Sequence, residues 1–441
     1  MKDAVRAWEW ALICAGFIVL VFTLHPTVDG DGAVRFQTIQ AFLGDGGAFS
    51  KFSFVQPILS MPLAWLGRFA EADVVKFVAW FNFSAFSALT IFIYRELAAR
   101  YKPAVGRAWW LLMLSASMFP HHLQYYYGEV LTSLLVFLAA LLIDRRPVVS
   151  AVLFALGCVN TPALLPSLVG LAVVLFLFYR RMAPLAAVPI AVALVLLEMW
   201  FKHVGLGQGY FSADEHGNVT VLPYSGRPGF SYPLLFGLMA ITLSFGKGLV
   251  FFMPALLLGF FGDIRRALGL DRKATFVAFI ALALPVVTYA KWWAWYGGSF
   301  WGPRFFLFMS VPASLLLAVG LRSTRAEPIR IALTLLVLLL SAWVSLEGYL
   351  FGQRETDVCW ADNYAQEHLC WYAPEFSALW RPFVTGSAWK IMSNVRWPYA
   401  AWQLVVIFYL AVRLAEPLVE MTRRRLNEVR ASDPGSHPGQ A

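Results

Sequence analysis

Two aspartates stand two positions apart in HPTVDGDGAVRF (25–36), with Gly30 between Asp29 and Asp31 and Gly32 after them. A carboxylate held against a substrate hydroxyl can take up its proton as that oxygen attacks, which is general-base chemistry. The glycines let the backbone turn tightly around such a group. The same spacing permits a divalent cation between the two carboxylates, and Asp31 also suits the N-cap of an amphipathic helix over 33–43. Far along the chain, KWWAWYGGSFWGPRFF (291–306) brackets an aromatic, glycine-rich stretch with Lys291 and Arg304, and LSFGKGLVFFMP (243–254) sets Lys247 between two glycines. Pro303 favours a first helical turn at Arg304, and Lys247 opens an apolar run. A cation beside the unpaired N–H groups of a helix start makes a seat for an anion, and the planar guanidinium fork matches phosphate. Snorkelling to a membrane interface is the alternative account of each cation taken alone.

A third cluster is MFPHHLQYYYGEVLTSLL (118–135), with His121, His122, Tyr125, Tyr126, Tyr127 and Glu129 in one short turn. Glu129, His122 and Tyr127 are candidates for substrate contact, as are Trp295 and Tyr296, whose rings can stack on a sugar or a lipid. The alternatives are a Glu that complements a helix dipole and aromatics that anchor at a membrane interface. Glu198 and Glu347, near the ends of apolar runs, are weaker candidates of the same kind. GLGQGY (205–210) has the glycines of a phosphate loop but follows no strand. Asn218–Val219–Thr220 would accept a glycan only in a eukaryotic secretory setting. Cys359 and Cys370, eleven positions apart and each followed by Trp, suit a disulfide in an oxidising compartment. Cys14 and Cys158 lie in apolar runs as small packing residues, and no Cys/His spacing resembles a zinc site.

The elements that position these residues follow from composition. Of 441 residues, 59% are hydrophobic and only 14% charged, with a mean hydropathy of +0.64. No soluble domain hides so much apolar surface, so the chain is expected to be an all-α polytopic membrane protein. Apolar runs predict about twelve spans (10–14), at 8–24, 77–95, 108–120, 128–143, 148–159, 163–179, 184–201, 248–261, 274–291, 305–321, 329–350 and 398–415. Two further stretches, 53–69 and 232–245, read as interfacial helices. The net charge of +9 is explained by topology rather than nucleic acid, because most Lys and Arg fall in the short connections on one side, such as Arg145–Arg146 and Arg423–Arg424–Arg425. The positive-inside rule then puts both termini in the cytoplasm. The long loops 25–76, 202–247, 291–304 and 351–397 fall outside, and the candidate chemistry lies on them. A membrane domain over 1–415 and a basic cytoplasmic tail over 416–441, disordered near its end, complete the organisation.

At these residues the chain resembles the bacterial integral-membrane glycosyltransferases of the GT-C superfamily, in the branch of the protein O-mannosyltransferases and the lipid A aminoarabinose transferase. The resemblance rests on Asp29–Gly30–Asp31 after the first span, KFSFVQPILSMPLAWLG (51–67), YYYGEVLTSLL (125–135), LSFGKGLVFFMPALLL (243–258) and the Gly-Gly-x-x-x-Gly-Pro-Arg element ending at Arg304, in that order. It departs where Ser244–Phe245 stands for the family's Ser-Pro, and in lacking a large outer C-terminal domain. The resemblance implies sugar transfer, with inversion, from a polyprenyl-phosphate donor to a lipid, glycan or protein acceptor on the outer face of a bacterial inner membrane. Asp31 or Asp29 would be the base, and Arg304, Lys247 and Lys291 would hold the donor phosphate. No cofactor is implied beyond the divalent cation the aspartate spacing permits. A flippase for an anionic lipid and a glycan polymerase or ligase are the competing functions. Spans nearly free of ionisable groups, with charge gathered on one face, favour an enzyme over a carrier.

Overall fold

Inside a bilayer a backbone can satisfy its polar groups only within itself, and long apolar runs therefore become helices. The computed structural model describes residues 2–203, 229–298, 300–322, 327–352, 358–359, 361 and 365–432. Among these residues there are helices and no sheet. Eight helical segments are long and apolar enough to cross a membrane, namely Asp3–Thr23, Val74–Arg100, Pro162–Tyr179, Ala183–Lys202, Arg272–Lys291, Arg304–Leu321, Pro328–Leu350 and Trp397–Val419. Shorter apolar helices cover Glu129–Leu142, Pro147–Asn160 and Leu234–Leu243. Pro103–Ser115 is also helical and is buried on every side from Val105 to Ser115. It packs against Lys2–Thr23, Phe81–Arg100 and Ser310–Leu321 at the centre of the molecule.

Several expected spans are interrupted, and proline explains most of the breaks. The stretch expected as one helix over 248–261 is a short helix, Leu249–Phe252, followed by a 3₁₀ segment, Pro254–Phe260. Pro254 has no N–H to donate and pushes Met253 out of helical geometry, to φ −136°. Thr161, before Pro162, leaves helical geometry in the same way, at the gap expected between the spans 148–159 and 163–179. Arg304–Met309 is 3₁₀ before Ser310–Leu321 becomes α-helical. Towards the C-terminus the helix Trp397–Ser432 runs without a break through residue 415, carrying Pro417 inside it.

Two helices precede the second long apolar segment. Gly30–Leu43 follows the first span, and Val55–Phe69 is amphipathic, burying Gln56, Ser60 and Ala64 while exposing Ile58, Leu59, Trp65 and Phe69. The expected interfacial stretch at 53–69 is therefore a helix with one apolar face uncovered by protein.

One ionic cluster lies within the helical bundle. Glu9, fully buried, accepts hydrogen bonds from Arg107 Nε at 2.5 Å and Tyr409 OH at 2.8 Å, and pairs with Arg322. One carboxylate thus ties together four helices distant in sequence. Replacing it strands two guanidinium groups, which costs about 3–5 kcal/mol when a buried pair is broken. Glu9→Ala is accordingly expected to lower the thermal unfolding midpoint in detergent; an unchanged midpoint would mean that water takes over the carboxylate's role.

Candidate active site

The site begins at a pairing of two loops. Thr27 N–H donates to Gln124 O at 2.8 Å and Tyr126 N–H to Thr27 O at 3.2 Å, a single parallel bridge that lays the segment after the first span along the Tyr125–Tyr127 turn. Three amide side chains from other elements hold that turn. Asn82 Nδ2 donates to Tyr125 O (2.6 Å) and Tyr127 O (2.8 Å), Gln56 Nε2 to Tyr127 O (3.3 Å), and Asn160 Nδ2 to Gly128 O (2.9 Å). All three are buried, and their hydrogen bonds give the turn carbonyls the partners that burial requires.

The two aspartates take different positions. Asp29, rather than Asp31, occupies the N-cap of Gly30–Leu43, although its side chain makes no capping hydrogen bond. Its carboxylate instead accepts from Tyr127 OH and Thr27 Oγ1, each at 3.2 Å. Gly30 has φ +48°, and a Cβ there would stand 3.1 Å from the Phe300 ring, so glycine is needed for both conformation and space. Asp31, in the first turn, meets Arg304 with Oδ2 2.6 Å from Nη2. The same guanidinium places Nη1 3.7 Å from Glu129 Oε1, donates through Nε to Gly297 O at 2.7 Å and lies over the Phe300 ring at 4.1 Å. Burial would raise the Asp31 pKa, but Arg304, with Arg35 and Lys51 beyond it, outweighs this and holds the carboxyl below its ordinary value. Asp31 is thereby ionised at neutral pH.

These groups line a cleft of about 280 Å³. One wall is charged, with Asp31, Glu129, Arg304, Arg35 and Lys51; the other is aromatic, with Phe230, Trp292, Trp293 and Tyr296. Sequence reasoning missed two cations of the cleft, Lys51 and Arg35. Arg35 is 5% exposed, stacks on Phe52 at 4.3 Å, and leaves Nε and Nη1 with no protein hydrogen-bond partner. Burial lowers its pKa against the pull of Glu129 and Asp31. A signal was present in the sequence, since Arg35 follows Asp31 by four residues and so shares its helix face. Gly128 leaves it room, because a Cβ there would lie 2.6 Å from Arg35 Nη2.

Of the three cations expected to hold phosphate, only Arg304 lines the cleft. Lys247 is buried behind it, with Nζ donating to Gly298 O (3.1 Å), Gly302 O (3.2 Å) and Phe300 O. Lys291 ends its helix outside the lining, and its backbone carbonyl accepts from Tyr232 N–H. Among the proposed substrate contacts, Glu129 and Tyr296 line the cleft. Tyr127 supports Asp29, and Trp295 is buried with its ring 5.6 Å from that of Trp371. His122 is buried beside Trp301 and His121, outside the lining, and burial holds its pKa far below the usual value, leaving it neutral. Glu198 and Glu347 serve as scaffold. Glu198 accepts from Ser53 Oγ (2.7 Å) and Phe54 N–H (2.9 Å), fixing the segment that carries Lys51, while Glu347 accepts from Trp301 Nε1 at 2.5 Å.

Cys359 and Cys370 are joined as a disulfide, with Cα atoms 6.1 Å apart. Among the described residues no three His, Cys, Asp or Glu side chains gather as a cation site. The aspartates that could have shared a cation have separate partners. The 205–210 and 218–220 stretches lie outside the described residues.

A second cavity, of about 560 Å³, lies among the same helices and is mainly apolar, with Phe137, Leu168, Leu171, Leu282, Pro285 and Phe308 in its walls. It begins one turn from the cleft, since Ser133 follows Glu129 by four residues, Phe308 follows Arg304 by four, and Pro285 precedes Tyr289 by four. It extends to Arg100, Asp144 and Arg181 at the other ends of these helices. The two cavities together suit an amphiphile with a charged head and a long apolar tail. The chain matches no family model, no curated protein and no solved structure.

Proposed function

We propose that this protein is an integral-membrane glycosyltransferase of the GT-C type, moving a sugar from a polyprenyl-phosphate donor to an acceptor hydroxyl on the outer face of a bacterial inner membrane. The observation that carries the reading is the charged cleft set one helical turn from a long apolar cavity. Pro103–Ser115, Glu129–Leu142, Pro147–Asn160 and the broken passage over 249–260, added to the eight longer helices, support twelve crossings with both termini cytoplasmic, and Leu234–Leu243 lies at the interface. On that count residues 1–415 form the membrane-embedded enzyme, 416–441 a basic cytoplasmic tail, and the disulfide faces an oxidising compartment.

The cleft divides the labour of an inverting transfer. Asp31 takes the proton from the acceptor hydroxyl as that oxygen attacks the anomeric carbon. The bond from that carbon to the phosphate oxygen breaks on the opposite face, and its electron pair leaves with the lipid phosphate. The leaving group gains negative charge and requires cations rather than a proton. Arg35, with nitrogens unclaimed by protein, and Lys51 provide them. Arg304, already engaged by Asp31 and Glu129, orients the base. Glu129 accepts hydrogen bonds from sugar hydroxyls, and the aromatic wall stacks on the sugar face.

In the test, purified protein receives labelled polyprenyl-phosphate sugar and an acceptor, of which lipid, glycan and protein forms are each tried. Release of polyprenyl phosphate is expected, and Arg35→Ala should weaken polyprenyl-phosphate affinity at least about tenfold, as for loss of a charged hydrogen-bonded partner. Movement of the labelled lipid across liposomes without chemical change would instead establish a flippase.

A further inference from the structure

Asn160 is the last residue of the helix Pro147–Asn160, two positions before Pro162, and its amide is clamped from the start of the neighbouring helix Glu129–Leu142. Its Nδ2 donates to Gly128 O at 2.9 Å and to Thr132 Oγ1 at 3.0 Å. Thr132 Oγ1 lies in turn 3.2 Å from Gly157 O and 2.8 Å from Thr161 Oγ1. A carbonyl can only accept, so the contact with Gly128 O fixes which end of the amide is nitrogen. Both N–H groups are thereby used, and Oδ1 remains as an acceptor whose orientation the network has already set.

Asn160 is fully buried and belongs to the lining of the charged cleft, yet Oδ1 has no hydrogen-bond partner in the protein. Three other lining residues bury polar atoms in the same condition, Arg35 with Nε and Nη1, Arg304 with Nη1 and Trp293 with Nε1. All of those are donors, which phosphate or hydroxyl oxygens satisfy. Among the described residues of the lining, Oδ1 is the one acceptor of the set, and the carboxylates Asp31 and Glu129 already meet Arg304. A buried acceptor left unpaired is costly. The ionised phosphate of a lipid-linked sugar has no hydrogen to give it, whereas the sugar does. The neighbouring cation says which part of the sugar lies there. Arg35 Nη2 and Asn160 Nδ2 come within 2.6 and 3.0 Å of one point, the position a Cβ would take on Gly128. With Arg35 on the phosphate, the acceptor beside it meets the part of the sugar next to the phosphate.

We infer that Asn160 is a specificity-determining residue, whose Oδ1 accepts a hydrogen bond from a hydroxyl on the sugar carbon adjacent to the anomeric carbon. The inference rests on the reading of the cleft as a sugar-phosphate site and narrows the donor to sugars that carry a hydroxyl at that carbon. A hydrogen bond made by that hydroxyl strengthens as positive charge develops at the anomeric carbon, so the contact that selects the donor also favours its reaction.

The experiment measures affinity for the full-length protein in detergent, by competition against labelled polyprenyl phosphate. Two sets of polyprenyl-phosphate sugars are compared: glucose, mannose and the 2-deoxy hexose common to both, and arabinose, ribose and the 2-deoxy pentose common to both. In wild type at least one hydroxyl-bearing sugar should bind at least about tenfold more tightly than its 2-deoxy form, as when a buried acceptor is left unpaired. Asn160→Ala should bring that ratio to within about twofold. Thr132→Val, which loosens the clamp but keeps Oδ1, should lower both affinities alike and preserve the ratio. A purely structural role for Asn160 would preserve the ratio in Asn160→Ala as well, and that result overturns the inference. If Asn160→Ala does not fold, the wild-type ratio decides. Hydroxyl and 2-deoxy forms that bind equally, and more tightly than polyprenyl phosphate, would show that water satisfies Oδ1, overturning the inference while the sugar cleft stands. Sugars that bind no more tightly than polyprenyl phosphate itself would overturn both.

Discussion

Asp31→Asn is expected to lower turnover by about 10²–10⁴-fold, the range for loss of a general base, while polyprenyl-phosphate affinity stays within about threefold of wild type. The amide has the carboxylate's shape and can still accept from Arg304, whose Nη2 lies 2.6 Å from Oδ2, but it cannot take up a proton. Since Arg35 and Lys51 are untouched, the loss should fall on kcat and leave KM nearly unchanged. Full turnover in this variant would sink Asp31 as the base. Asp29 would then be the candidate, although its contacts with Tyr127 and Thr27 give it the surroundings of a supporting group.

Arg304→Ala should have an effect of similar size with a different signature. Asp31 and Glu129 lose the cation that joins them. Breaking such an arrangement costs about 3–5 kcal/mol, measurable as a lower unfolding midpoint. The catalytic consequence is one of pH. In wild type Arg304 holds the Asp31 pKa below its ordinary value, so the base stays ionised through the neutral range and the acid limb of kcat/KM lies below it. A carboxylate with a depressed folded pKa contributes stability above its unfolded pKa and loses it as pH falls through the folded value. Without Arg304 burial dominates, the Asp31 pKa rises, and the acid limb moves towards neutrality. Activity should therefore fall further at pH 6 than at pH 8, and the stability deficit relative to wild type should shrink as the medium is acidified. Arg304→Lys should keep the charge but lose the fork that spans two carboxylates, recovering the pH profile more than the rate. An acid limb that does not move in Arg304→Ala would show that Arg304 does not set the ionisation of Asp31.

Helix type and the presence of apolar spans were legible in the sequence because both depend on neighbours along the chain: a run of apolar residues, and a proline at Pro103, Pro147 or Pro328 to open a helix. Breaks were less legible. At Met253 the apolar run continues while the following proline changes the backbone locally, and a hydropathy reading averages over this, whereas the gap at 160–162 was already visible between the expected spans 148–159 and 163–179.

The site divides along the same line. Asp31, Glu129 and Arg304 could be picked out because each is an ionisable residue at the end of an apolar run, a placement that local order reveals. Their convergence on one guanidinium joins positions 31, 129 and 304. Lys247 and Arg35 show what remained hidden. Both are cations beside apolar sequence, yet Lys247 turns inward to three carbonyls while Arg35, in the cleft lining, keeps two buried nitrogens without a protein partner. The sequence by itself determined a helical membrane protein with its candidate acids and bases at helix ends, because hydropathy and helix signals act over a few turns. Only the tertiary structure decided which cation meets which partner, because that depends on how each helix is rotated and on side chains brought from distant helices, such as Gln56, Asn82 and Asn160, to hold the loops between them.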